Sequence, residues 1–89
     1  MADGKKSRTT VEIYGQQYKI VADESRSHVK MVASLVDEKM KELKEMNAAL
    51  DVNKLAVLTA VNAVNDYLLL EQKYIKLAES IQKEEEKEQ

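Results

Sequence analysis

The stretch from Asp51 to Gln82 limits what this chain can become. Within it Ala56, Ala60, Ala63, Tyr67, Leu70, Tyr74, Leu77 and Ile81 recur at alternating spacings of four and three. That spacing is the heptad seam of a helix that buries one stripe against another helix. Neither Pro nor Gly interrupts the run, and its Ala, Leu, Glu, Lys and Gln are good helix formers. A second row, Val57, Val61, Val64, Leu68, Ile75 and Ala78, widens the apolar face. About thirty residues of helix reach roughly 45 Å, more than the width of a compact chain of this length. The far end has nothing of its own chain to pack on. A second copy is expected, with Ala60, Ala63, Tyr67, Leu70, Tyr74, Leu77 and Ile81 as the oligomer interface.

Composition points the same way. The chain of 89 residues has no Phe, Trp or Cys, and its aromatics are Tyr14, Tyr18, Tyr67 and Tyr74. A chain this small has a marginal core when monomeric. Without Cys it has no disulfide, and with His28 as its one imidazole no metal or other cofactor is expected. Association is the remaining way to gain core. The formal net charge of −2 with 34% charged residues suits a soluble protein and speaks against general nucleic-acid affinity. No apolar run has membrane-spanning length, and Met1 to Thr10 is polar, unlike a signal peptide. A cytoplasmic protein with no membrane partner is expected.

Taken in order, residues 1–8 read as a flexible basic leader, and residues 9–50 as a head. Its first part, residues 9–22, alternates as a hairpin. Gly15-Gln16 suits a two-residue type II′ loop, which sets Ile13 opposite Tyr18 and Val11 opposite Ile20. On the other face the same register sets Glu12 opposite Lys19 and Tyr14 opposite Gln17. Two strands alone are marginal in water, so the Val11, Ile13, Tyr18, Ile20 face must lie on a helix. That helix spans about residues 24–47, with Asp23 or Ser25 as N-cap and a stripe of Val29, Val32, Val36, Met40 and Leu43 widened by Leu35. Asp37 and Lys41, four apart, add slight support on its exposed face. Residues 47–50 form the break, and Asp51 caps the long helix of residues 51–84.

The long helix changes character along its length. Leu55, Ala56, Val57, Leu58, Val61 and Val64 are apolar all round, interrupted by Thr59 and Asn62. The hairpin, the first helix and a partner subunit are expected to pack this half together. Beyond Glu71 the stripe narrows, and only coiled-coil partners can cover it. Residues 85–89 are expected to fray. The fold class is therefore α+β: a small head of one β-hairpin plus a helix, then a long helix forming an oligomeric coiled-coil stalk.

No catalytic constellation accompanies this pattern. The carboxylates lie on exposed helix faces, His28 has no second His or Cys beside it, and Gly4 and Gly15 make no phosphate loop. No enzymatic activity is expected. Asn62 and Asn65 stand out amid apolar neighbours, either hydrogen-bonded at the edge of the core or, for Asn62, fixing the register of a subunit interface.

The hairpin Val11-Glu12-Ile13-Tyr14-Gly15-Gln16-Gln17-Tyr18-Lys19-Ile20, an amphipathic helix, and Leu55-Ala56-Val57-Leu58-Thr59-Ala60-Val61-Asn62 opening a coiled coil together resemble the ZapA family. The resemblance runs from about Thr10 to Ile81 and is strongest to the short forms of Bacillus-type bacteria. It implies a bacterial cell-division protein that binds the tubulin-like FtsZ, bundles its protofilaments and stabilises the division ring at mid-cell, hydrolysing no nucleotide itself. It also implies self-association as a dimer or a tetramer. The family's FtsZ-binding surface lies on the head, which carried onto this chain gives Gln16, Asn53 and Leu58. Longer members often carry Arg after the turn glycine, where this chain has the uncharged Gln16.

Two function classes follow. The first is a cross-linker, in which heads held on a stiff stalk engage two filaments, needing no pocket and no catalytic residue. The alternative is a coiled-coil adaptor or regulator for another partner, such as nucleic acid reached through Lys5, Lys6 and Arg8. A steep salt dependence of binding distinguishes the second.

Overall fold

The computed structural model describes residues 6–87. Strand β1 (Ser7–Ile13) and strand β2 (Gln16–Ala22) form one antiparallel hairpin, followed by helix α1 (Arg26–Met46) and helix α2 (Val52–Lys87). The elements expected from the sequence are present, with shifted ends. Ser7 and Arg8, expected in the leader, already pair with Ala22 and Val21. The helix expected to end at residue 84 continues to Lys87. Residues 1–5, with Lys5, lie outside the described residues.

The turn corrects the expected register. Its two central residues are Tyr14 and Gly15, with φ of +50 and +82. Positive φ at both positions is the signature of a type I′ turn rather than the expected II′. Ile13 consequently pairs with Gln16, Val11 with Tyr18, Thr10 with Lys19 and Glu12 with Gln17. The expected Glu12–Lys19 pair is not directly opposed. The shift is two residues, so every side chain keeps its expected face. A left-handed Tyr costs about 1 kcal/mol, and something outside the turn must offset that.

Gly15 needs its freedom here for conformation alone, since a Cβ built on it meets nothing within 4 Å. Gly15→Ala is therefore expected to cost about 1 kcal/mol through backbone strain, without a clash. Urea denaturation of the two proteins measures it, and an unchanged midpoint overturns this account of the turn.

The core of the head lies between the hairpin and α1. Val11, Val29 and Ala33 are buried, and Ile13, Ile20 and Ala22 pack against them. The hairpin thus lies on a helix as its alternation requires, although Tyr18 stays 45% exposed. On α1 the buried side chains are Val29, Ala33 and Met40, with Val36 and Leu43 half-buried. Val32 borders a hollow with Ile13, Ile20 and Val36 on the hairpin side but stays 45% exposed, and Leu35, expected to widen the stripe, is 58% exposed. Ala33 takes the inward position because its small side chain lets the strand approach closely.

Caps define the helix ends. Ser25 is the N-cap, its Oγ accepting the His28 amide at 3.2 Å, so α1 starts at Arg26 rather than near residue 24. At the other end the Asn47 amide donates to the Leu43 carbonyl at 3.1 Å. Lys44 Nζ donates to the carbonyls of Ala48 and Leu50 at 2.7 and 2.8 Å, a cation from the last turn of α1 pinning the connection that follows it. Asp51 Oδ1 accepts the Lys54 amide at 2.9 Å and opens α2.

The chain divides into two compact units between Thr59 and Ala60. In the first, α2 contributes Leu55, with no exposed surface, and Thr59, 6% exposed. Val57 and Leu58 in the same turns remain open, so the head covers one face of this half rather than every face. Thr59, which interrupts the apolar run in the sequence, is the side chain that faces inward. In the second unit Val61, Val64, Tyr67, Leu68, Leu70, Tyr74, Ile75, Leu77 and Ile81 are all about half exposed or more.

Candidate functional site

The expected site residues lie within one part of the head. The hairpin end, α1 and the first turns of α2 bound an open groove of about 550 Å³. Gln16, Tyr18 and Ile20 come from β2, Val36 and Met40 from α1, and Val52, Asn53, Ala56 and Thr59 from α2. Gln16 and Asn53, 37 positions apart in the sequence, therefore face the same groove. Asn53 also borders a neighbouring hollow of about 320 Å³ with Leu50, Lys54, Val57 and Leu58. Leu58 belongs to this second hollow, and Asn53 joins the two. All three expected residues are exposed in the chain by itself.

The groove is more apolar than charged. Its lining is mostly aliphatic and aromatic, with Lys19 as its one charged side chain. Among the described residues no group of His, Asp and Glu is arranged to hold a metal ion. His28 is exposed and sits in the first turn of α1. Thr59 adds a polar feature that sequence spacing gives no reason to notice: its buried hydroxyl has no hydrogen-bond partner among the described residues. Among the described residues no helix is long and apolar enough to cross a membrane.

The turn that presents Gln16 is tied to α1 by a contact that sequence reading undervalues. The Tyr14 amide donates to Asp37 Oδ1 at 2.7 Å, while Lys41 Nζ approaches Asp37 Oδ2 at 2.9 Å. Asp37 is thus more than the expected surface ion-pair partner. Its side chain keeps 22% of its exposure and bridges helix to turn. The hydrogen bond from Lys41, followed by the Tyr14 amide, holds its carboxyl below the ordinary aspartate value. Asp37 in turn raises Lys41 above the ordinary lysine value.

These shifts fix the pH dependence of the contact. A carboxyl lowered in the folded chain binds fewer protons than the same group unfolded. Its contribution is present above the unfolded value, near 4, and is lost as pH falls through the lower folded one. Lys41 contributes below its ordinary value and loses that contribution as pH rises through the raised one. The stability difference between wild type and Asp37→Asn is therefore expected to be constant around neutrality and to shrink below about pH 4. Thermal melts across that range test this, and a difference that grows on acidification contradicts it.

The α2 candidates are arranged differently. Ala60, Ala63, Tyr67, Leu70, Tyr74, Leu77 and Ile81 run along the second unit, with Tyr67 at 61%, Leu70 at 67% and Tyr74 at 70% exposure. Ala60, Val61, Val64, Asn65 and Leu68 line a shallow hollow of about 450 Å³ on the same helix. Asn62 is half-buried and Asn65 exposed.

A capped hairpin-and-helix head continued by a single long helix with open apolar rows defines a small α+β class of protein. Comparison with known proteins places the chain within that class. The family model for "Cell division protein ZapA" matches residues 9–89. The Bacillus licheniformis cell division protein ZapA is 56% identical over 85 residues, covering 96% of this chain and all of that protein. The Geobacillus sp. (strain WCH70) protein of the same name is 54% identical over 86 residues, covering 97% and 99%. A solved structure described as a ZapA mutant dimer from Geobacillus stearothermophilus superposes with a TM-score of 0.71 at 49% identity, covering 88% of this chain and 91% of that one. The chain belongs to the ZapA family, and its role is in cell division.

Proposed function

We propose that this chain self-associates through the open rows of α2 and that its heads bind FtsZ, cross-linking protofilaments at the division site. The observation that carries this reading is the continuous apolar stripe of α2. Tyr67, Leu70, Tyr74, Leu77 and Ile81 are between 50% and 70% exposed in the single chain. A soluble chain rarely leaves so long a row of large apolar side chains in water unless a partner covers it. The relative solved as a dimer supports a second copy as that partner. Ala60 and Ala63 contribute small side chains where helices approach, and the Tyr and Leu positions supply the buried area.

The head supplies the other half of the function. Gln16 and Asn53 face one groove, and Leu58 lies in the hollow beside it, which supports one binding surface formed by residues distant in sequence. Holding two such heads on one assembly raises the local concentration for the second attachment once the first is made. Cross-linking then needs no chemistry, in keeping with an apolar docking groove. No nucleic acid, membrane or cofactor enters this mechanism, and it proceeds in the cytoplasm.

The test is sedimentation of polymerised FtsZ with and without the protein. Co-pelleting together with thickened bundles is expected. A protein that stays in the supernatant at every ratio overturns the FtsZ reading.

A further inference from the structure

We propose that Asp37 is the positioning residue of the hairpin turn: its carboxylate holds Tyr14-Gly15 in the shape in which the head offers Gln16 to its filament partner. The proposal rests on the reading of the head as the FtsZ-binding part. A two-residue hairpin loop leaves the amide of its first central residue outside the strand ladder. Here that amide donates to Asp37 Oδ1 at 2.7 Å, from a helix 23 positions further along the chain. The donor residue is Tyr14 at φ +50, a backbone conformation that persists in a non-glycine residue only when its surroundings hold it. Lys41 grips the other carboxylate oxygen, Oδ2, and leaves Oδ1 to the turn.

The placement of these groups separates positioning from contact. Tyr14 and Gln16 both line the groove that includes Asn53. Asp37 does not; it lies in a separate hollow with Thr10, Glu12 and Lys30. Movement of the turn shifts one wall of the binding surface, whereas Asp37 reaches that surface only through Tyr14. When the turn samples other conformations, the fraction of heads competent to bind falls, and apparent affinity falls by the same factor.

The experiment measures binding of the full chain to polymerised FtsZ by co-pelleting, alongside amide exchange at Tyr14. Asp37→Ala is expected to weaken binding about tenfold and to expose the Tyr14 amide. Asp37→Asn keeps an oxygen acceptor for the amide and is expected to stay within about threefold of wild type. Ser7→Ala is the matched control. It removes the hydroxyl that donates to the Ala22 and Glu24 carbonyls at 3.3 and 2.7 Å, at the open end of the hairpin. It loosens the hairpin away from the turn, and its affinity is expected to be unchanged.

A loss shared equally by Ser7→Ala and Asp37→Ala overturns the proposal in favour of general stability. A loss in Asp37→Asn as deep as in Asp37→Ala, with the Tyr14 amide still protected, overturns it in favour of direct charge contact. Should Asp37→Ala fail to fold, the pair is repeated on Tyr14→Asn, because Asn-Gly holds a type I′ turn by itself. In that background loss of Asp37 is expected to cost less than about threefold, and an undiminished loss overturns the proposal. A wild type that never pellets with filaments removes the binding reading. A Tyr14 amide equally protected in wild type and Asp37→Ala removes the latch itself.

Discussion

A chain ending at Leu69 is expected to bind polymerised FtsZ weakly through single heads and to lose most of its bundling. The truncation leaves the whole first unit, with Leu55 and Thr59 buried in it and Gln16, Asn53 and Leu58 at the surface. It also leaves Val57, Val61 and Val64 exposed, and some head-proximal dimer is expected to persist through them. It removes Leu70, Tyr74, Leu77 and Ile81, which are between 50% and 70% exposed in the single chain. A single head meets the filament with its own affinity alone. Two heads held together add an effective-concentration gain of about 10²–10⁴, and shortening the helix forfeits most of it. Light scattering and co-pelleting at matched head concentration separate the two effects. Equal bundling by a well-folded truncation leaves the far half of α2 a role in stability only and defeats the cross-linking mechanism.

The same division between head and long helix explains what the sequence could and could not reveal. The long helix α2 was legible because its apolar period persists over eight positions, from Ala56 to Ile81, with no breaker in between. The hairpin and its inward face were legible from alternation, since Val11, Ile13 and Ile20 face α1 under either candidate register. The register itself was not. A glycine fits the first position of a II′ turn and the second position of a I′ turn equally well. In this chain the amide of the first turn residue meets the Asp37 carboxylate, which is carried by α1 rather than by anything beside Gly15. Local turn chemistry carries no information about an acceptor 23 residues away.

Packing likewise decided which apolar residues turn inward. The spacing of Val32 and Leu35 fits the α1 stripe, yet both stay largely exposed, while Ala33 is buried against the sheet. Hydrophobicity ranks Val and Leu above Ala, but closeness of strand and helix selects the smaller side chain. Thr59 is a parallel case on α2. It reads as a polar interruption, and its methyl and hydroxyl are nevertheless buried. The candidate site residues came from family likeness, carried over one by one, and not from any local pattern. That Gln16 and Asn53 share a groove depends on the path of the chain between them, which no local pattern encodes.

Ile81→Glu is expected to lower the association state sharply while leaving the head intact. Ile81 is 50% exposed and lies in the second unit, outside the unit that holds the hairpin and α1. Burying an Ile in an intersubunit seam is worth about 1.5–3 kcal/mol, and a symmetric pair of subunits loses two such contacts. The introduced carboxylate either stays hydrated, which separates the last turns, or is buried without a partner, which is costlier still. A combined loss of about 3–6 kcal/mol corresponds to roughly a 10²–10⁴-fold weaker assembly. Sedimentation equilibrium at micromolar concentration is expected to give the wild type a mass well above 10.1 kDa, the mass of one chain, and the variant a clearly lower average. Amide spectra of Thr9 to Ala22 should be unchanged, because the hairpin packs within the first unit, with its buried core against α1. A wild type that sediments as a monomer throughout defeats the seam as an interface. A variant that loses its hairpin signals together with its assembly shows that the two units do not fold independently.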